Sequence, residues 1–417
     1  MRRALLGGAA LALTVTLAAC GGGAGGDNAE TTLEVTWWGN TTRHEATEQA
    51  IELFEEKNPG ISVDTSPASF SGYYDKLNTQ FASNSGPDIF QDDQVSTYAS
   101  QERLLSLDDT AVDTSAFNEG FLNQATYDGT LYELPAGVSP MALVTQQDLL
   151  DQAGVEITRD MTWDEFGQAA QKIQQNLPEG TWALADSSSQ HNHFEVFLRQ
   201  QEKSFFADDG TSLGFDEADL TEWWEFWADQ RGKGVTPPAD VTVAAAGGDV
   251  SQSPVARDMV AMSIYGTAVQ LPSESWSYST MPNEADHPGV YLMRANSWAI
   301  NANSEHPEEA AKLVDFLVND PEAGAILGLS RGVPANPEIA AGITDSLSEK
   351  DRQIADYVAT LQEDGNSAPA PNPDPPGSRN LRSEAFDRHA QTVLFDQATP
   401  AQAAAAFMDE ANRSLGG

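Results

Sequence analysis

Leu33-Glu34-Val35-Thr36-Trp37-Trp38, then Gly39-Asn40, a helical stretch from Arg43 to Lys57, the stop Asn58-Pro59-Gly60, and Ile61-Ser62-Val63 together decide the fold. The first run alternates with period two and is rich in strand formers. Between Arg43 and Lys57 the apolar residues Ala46, Ala50, Ile51, Leu53 and Phe54 fall on one helical stripe. Proline cannot continue a helix, so the chain turns at Asn58-Pro59-Gly60 and enters a second strand. Strand, helix and strand in this order form a βαβ unit whose strands pair in parallel through a right-handed crossover. A second helix is expected from Tyr73 to Ala82, with Tyr74, Leu77 and Phe81 aligned. A third short strand, Pro87-Asp88-Ile89-Phe90-Gln91, leads into Asp92-Asp93. The front of the folded chain therefore reads as an open α/β sheet.

Upstream of that unit the chain is of another kind. Met1 to Ala19 has a signal peptide's charged start, Arg2-Arg3, and an apolar run too short for a confident membrane span. Leu17-Ala18-Ala19-Cys20 closes it and resembles the lipobox of bacterial lipoproteins, in which the cysteine is acylated and becomes the first mature residue. Cys20 is the single cysteine of the chain, so no intrachain disulfide and no thiolate metal cage can form. Gly21 to Asn28 is a glycine-rich tether with no capacity to pack.

Downstream, Asp128-Gly129 marks a hairpin turn, and Leu134-Pro135-Ala136-Gly137 reads as the chain leaving the first lobe. Helices are expected near Asp148–Ala153, Thr162–Gln175 and Asp219–Gln230, with two more opened by Pro307 and Pro321. Ser367 to Pro376 carries five prolines and should be an extended surface loop. Thr399-Pro400-Ala401-Gln402 is a capping box that opens a last helix.

The chain has 417 residues, which favours two lobes over one core. Its formal net charge of −41 repels nucleic acid and anionic headgroups, so neither is a direct partner. Catalytic signatures are missing: the sequence has no Gly-x-Ser-x-Gly elbow, no phosphate loop and no Gly-x-Gly-x-x-Gly. His44-Glu45-Ala46-Thr47-Glu48 lacks the second histidine of a zinc protease helix. His191-Asn192-His193 can offer a metal one face only if it lies in a strand. Neither a metal nor a cofactor is expected. Paired carboxylates for sugar hydrolysis carry no information in a chain with 63 acidic residues.

In open α/β sheets ligands sit beyond the carboxyl ends of the strands. Here those ends carry Trp37-Trp38-Gly39-Asn40 and Gln91-Asp92-Asp93-Gln94. An indole stacks on the apolar face of a pyranose, while carboxylates and amides hydrogen-bond its hydroxyls. Trp37 shares the side of Leu33 and Val35 and belongs with the core, so Trp38 is the stronger candidate. Trp223-Trp224-Glu225-Phe226-Trp227 has helical spacing and reads as core. Trp276 and Trp298 stand in loop or strand-end contexts. Arg331, between glycines in Gly328-Leu329-Ser330-Arg331-Gly332-Val333-Pro334, can fork onto vicinal hydroxyls or a sugar carboxylate, or make a structural ion pair.

Taken in order, several segments resemble the extracellular solute-binding proteins of bacterial ABC importers, in the group that takes sugars. They include Trp37-Trp38-Gly39, Phe54 to Val63, Lys76 to Ser83, Pro87-Asp88-Ile89, Asp128 to Pro135, Thr162 to Phe166, His306 to Lys312 and Arg331-Gly332-Val333-Pro334. The resemblance implies an α/β, two-lobe periplasmic-binding-protein-like fold with a hinge and an inter-lobe cleft. It places one lobe at 32–137 and 299–340 and the other at 138–298 and 341–417, after the signal peptide (1–19) and tether (20–31). It implies a ligand site at Trp38, Asn40, Asp92, Asp93, Trp298 and Arg331, and Arg43 is a further candidate. The family often carries a stacking tryptophan after an Ala-Met segment and glycine. Here Val260-Ala261-Met262 leads to Gly266 and then Thr267-Ala268, so Tyr265 or Trp276 would substitute. The expected protein is a monomer that binds a carbohydrate, docks on an ABC permease, does no chemistry, and is held by lipid on the outer face of the cell membrane. The same fold binding a non-sugar solute, or a cell-surface glycosidase, are the alternatives.

Overall fold

The computed structural model describes residues 31–158, 161–246, 253–267, 271, 273, 275–282, 288–363 and 366–416. The signal peptide, Cys20 and most of the tether lie outside the described residues. The strands are β1 (Thr31–Thr36), β2 (Ile61–Thr65), β3 (Ile89–Asp92), β4 (Thr126–Tyr127), β5 (Thr130–Leu131) and β6 (Glu133–Val138), followed by β7 (Met141–Gln146), β8 (Trp182–Leu184), β9 (Val260–Gly266), β10 (Trp276–Ser279), β11 (Arg294–Ile300) and β12 (Val333–Pro334). They form a six-stranded sheet in the order β12-β6-β11-β3-β1-β2, a four-stranded sheet β10-β7-β9-β8, and the hairpin β4-β5.

The βαβ unit forms as its sequence requires. β1 pairs in parallel with β2 and with β3, and the helix Thr41–Lys57 connects the first pair. Ala50, Ile51 and Phe54 on that helix are buried against Leu33, Val35 and Trp37 of the β1 segment. Trp37 and Trp38 point to opposite sides, as alternation demands, but β1 ends at Thr36 and Trp38 makes a single bridge to Ala68. β11 enters antiparallel between β3 and β6, so the large sheet is mixed rather than purely parallel.

The chain crosses from the large sheet to the small one between β6 and β7, where only Ser139 and Pro140 intervene. It returns between β10 and β11, and β11 already lies in the large sheet at Arg294, ahead of residue 299. After β12 it crosses again, and the helix Glu349–Gln362 packs against both β10 and β12. Backbones meet closely at the first crossing. A Cβ on Gly137 would stand 2.0 Å from the Arg331 carbonyl oxygen, and Gly332, at φ 91°, faces the Val138 carbonyl.

Each sheet has its own core. The small sheet packs with Trp223, Trp224 and Trp227 of the helix Glu217–Gly232, and with Phe386 and Phe407 of the C-terminal helices. The three tryptophans are buried, in keeping with their helical spacing, and the indoles of Trp223 and Trp224 both donate to the Ser188 carbonyl. The last helix, Pro400–Leu415, opens with the Thr399–Gln402 capping box in place.

Candidate functional site

The loop after β3 starts with Asp93, which is exposed, while Asp92 before it is fully buried. From the other side of the molecule the proline-rich segment Pro371–Pro376 and the turn after it bring in Arg379 and Arg382. Together with Gln94, Gln124, His191, Asn192 and Tyr291 they enclose a cavity of about 310 Å³. A second cavity of about 700 Å³ continues on the far side of the proline segment, sharing Asp374 and Arg382 and adding Tyr127, Asp128 and Asp208. The extended loop read from the prolines is therefore a wall of the cleft.

One ion pair spans the first cavity. Arg379 Nη1 lies 3.0 Å from Asp93 Oδ1, and the guanidinium sits 4.8 Å from the centre of the Tyr74 ring and 5.8 Å from that of Phe70. The Tyr74 hydroxyl donates to the same Asp93 oxygen at 2.5 Å. Phe70 is half exposed. An aromatic face, a carboxylate and a guanidinium thus stand at one rim.

Below the rim lie charged groups of a different kind. Arg294 is paired with the buried Glu133 and donates to Ser297 Oγ at 2.8 Å. Burial and the adjacent Glu133 carboxylate push the Asp92 carboxyl well above its usual range. On the far wall Arg382 is paired with Asp374 and, at 3.1 Å, with the buried Glu195.

Of the candidates named from sequence, Asp93 lines the first cavity and Tyr265 lines a third, of about 380 Å³, which shares Asn192 with the first. The Tyr265 hydroxyl bonds Ser253 Oγ at 3.0 Å. The others are placed differently. Trp38 is packed among Phe70, Tyr73 and Tyr74 and is 8% exposed, so it supports the aromatic rim from behind. Asn40 is the N-cap of Thr41–Lys57 and accepts from the Arg43 N–H. Arg43 donates to the carbonyls of Ser330 and Trp38, and burial lowers its pKa to about 10. Trp276 is wholly buried, with its indole N–H 3.4 Å from Asp258 Oδ1. Trp298 is buried edge-on to Trp37, and Arg331 is buried above its ring at 4.7 Å. Both tryptophans are packed in the cores, on strands whose faces are covered. Asp92, on β3, is likewise fully buried. His191 and His193 lie on the helix His191–Gln200, where a two-residue step turns side chains by about 200°, so they share no face.

Sequence reasoning missed Arg379, Tyr74 and Phe70. A usable signal existed for the first: in a strongly acidic chain, Arg379 and Arg382 directly follow the proline run.

Residues 49–359 match the family model for bacterial extracellular solute-binding proteins. The chain belongs to that family. Among relatives of this solute-binding protein is an arabinooligosaccharide-binding protein of Halalkalibacterium halodurans, 24% identical over 215 residues, which are 49% of this chain and 47% of that protein. The chain thus spans about half the length of the curated relative it matches. Among solved structures, an extracellular solute-binding protein family 1 from Alicyclobacillus acidocaldarius is 26% identical, with a TM-score of 0.72 over 92% of this chain and 98% of that one. A periplasmic oligogalacturonide-binding protein from Yersinia enterocolitica, in complex with saturated digalacturonic acid, superposes with a TM-score of 0.77 at 21% identity, covering 93% and 99%. The last likeness is one of fold. No helix among the described residues is long and apolar enough to cross a membrane.

Proposed function

We propose that this solute-binding protein captures an oligosaccharide between its two lobes and delivers it to the membrane permease of an ABC importer, without chemical change. The observation that carries the reading is the cleft whose walls come from both sides of the molecule, joined at Asp93 and Arg379. Carboxylate, amide and guanidinium groups there suit sugar hydroxyls, and the Phe70 and Tyr74 rings suit the C–H face of a pyranose. The cavities on either side of the proline segment offer room for more than one ring. Relatives named for arabino- and galacturono-oligosaccharides support the ligand class. Closure of the lobes around the ligand would be a hinge motion at the β6–β7, β10–β11 and β12 crossings. The lobes are proposed to divide the chain as 32–138 with 294–340, and 139–293 with 341–417, the boundaries set by the end of β6 and the start of β11. Cys20, acylated, would hold the protein at the outer face of the membrane.

The test is calorimetric titration with a panel of neutral and uronic oligosaccharides. Saturable binding on the order of micromolar, about −8 kcal/mol, is expected for one class. It should weaken at least tenfold in Arg379→Ala and Asp93→Asn. No heat from any sugar with the folded protein would move the assignment to a non-sugar solute on the same fold. For the anchor, replacing Cys20 by Ser should release the protein from the membrane fraction.

A further inference from the structure

Three largely buried arginines among the described residues are paired with carboxylates. Arg294 has Glu133, Arg382 has Glu195, and Arg231 has Asp186 at 2.6 Å. Such pairing is what low dielectric requires, since an uncompensated interior charge is very costly. Arg331 departs from that pattern. It is 4% exposed, and among the described residues no carboxylate lies within ion-pair distance of it. Its Nε donates to Gln91 Oε1 at 3.1 Å and its Nη1 to Thr47 Oγ1 at 2.9 Å. Its buried Nη2 has no acceptor among the described residues, and the buried Gln91 Nε2 and Ser330 Oγ have no partner among them either.

The surroundings add positive charge. Arg43 runs alongside, donating to the Ser330 carbonyl at 2.8 Å, and it too lacks a carboxylate partner among the described residues. Arg43 lies in the first turn of the 17-residue helix Thr41–Lys57 and Arg331 bonds Thr47 in its second, and the first turn has no acidic residue to offset the helix's positive end. Burial lowers His44 in the same turn, with Arg331 and Arg43 adding to the effect against Glu48. A guanidinium does not escape such a place by losing its proton. What is missing is a negative charge.

We propose that Arg331 Nη2, the Gln91 amide and the Ser330 hydroxyl, with Arg43 beside them, form a buried site for one compact monovalent anion, a halide or a carboxylate as small as formate. Gln91, Thr47 and Trp298 are themselves buried, so the proposed anion must be small. None of these groups lines the three cavities of the cleft described above, so the site is separate from the sugar reading. Its occupant would tie the N-terminus of the Thr41–Lys57 helix to the turn entering β12.

The test is thermal unfolding of the full chain at constant ionic strength, with sodium methanesulfonate replaced stepwise by chloride, bromide or formate. A compact anion should raise the midpoint saturably, by roughly 3 °C. Gln91→Glu places a carboxylate against Arg331 from within. It should raise the midpoint in methanesulfonate and abolish the response to the compact anions, whereas Asp93→Asn, in the cleft, should leave that response intact. A response to both halides, with anomalous bromide scattering beside Arg331 Nη2, assigns a halide; a response to formate alone assigns a carboxylate. Equal midpoints in all the salts, or an undiminished response in Gln91→Glu, would overturn the proposal.

Discussion

Replacing Arg382 by Met should cost far more than the loss of a surface ion pair. Arg382 holds the fully buried Glu195 at 3.1 Å, and the carboxylate's other donor among the described residues is the Phe205 N–H, also at 3.1 Å. Asp374, the second partner, is partly exposed and contributes little. Removing the guanidinium leaves a charged carboxylate in the interior, a loss of about 3–5 kcal/mol. The deficit should depend on pH with a definite sign. Burial already raises the Glu195 pKa in the intact protein, with Arg382 opposing, so the variant's folded pKa lies higher still. An acid whose folded pKa exceeds its unfolded value favours folding fully below the unfolded pKa and loses that contribution as pH rises through the folded one. The deficit should therefore be largest near pH 8 and shrink toward pH 5, by at most about 1.4 kcal/mol per unit. Urea unfolding at several pH values measures it, and adding Glu195→Gln should recover much of the loss. A variant within about 1 kcal/mol of the parent at pH 8, or a deficit flat with pH, would refute the reasoning.

Two further outcomes follow from close packing and burial. Gly137→Ala should destabilise by about 2 kcal/mol or more, because the new methyl meets the Arg331 backbone rather than a movable side chain; it should also blunt the ligand-driven change in tryptophan fluorescence, and a normal amplitude would exclude that crossing as a hinge. Burial lowers the His193 pKa to about 3, so its contribution is present above the unfolded value of about 6.5 and is lost as pH falls toward 3; His193→Gln should flatten the decline in melting temperature between pH 7 and pH 5, and an unchanged slope would assign that decline to other groups.

The elements themselves were legible because their signals are local. The β1–helix–β2 unit follows from alternation, a stripe and a proline stop, and Thr399-Pro400-Ala401-Gln402 caps its helix from within four residues. Trp223, Trp224 and Trp227 could be assigned to a core because their spacing matches one helical face. The fate of Trp298 could not be read in this way. It lies on β11, between β3 and β6, and no local pattern discloses that order. A strand with neighbours on both edges and helices over its faces buries whatever it carries. Arg331 was singled out for its glycine neighbours, but its partners, Gln91 and Thr47, lie more than two hundred residues away. The pair that marks the cleft, Asp93 and Arg379, is separated by 286 positions. Sites made by the meeting of distant segments become visible only when topology is known.

The proline segment between the cavities has a thermodynamic consequence for capture. Prolines at 369, 371, 373, 375 and 376 restrict the backbone before any ligand arrives, and would do so in the unfolded chain as well. A glycine-rich wall of the same length would have to surrender its freedom at each encounter, and that loss would be subtracted from every binding event. Here the loss is taken once, at folding. The rigid wall can thus meet a succession of ligands at constant shape, and selectivity then rests on which molecules fit an unyielding contour.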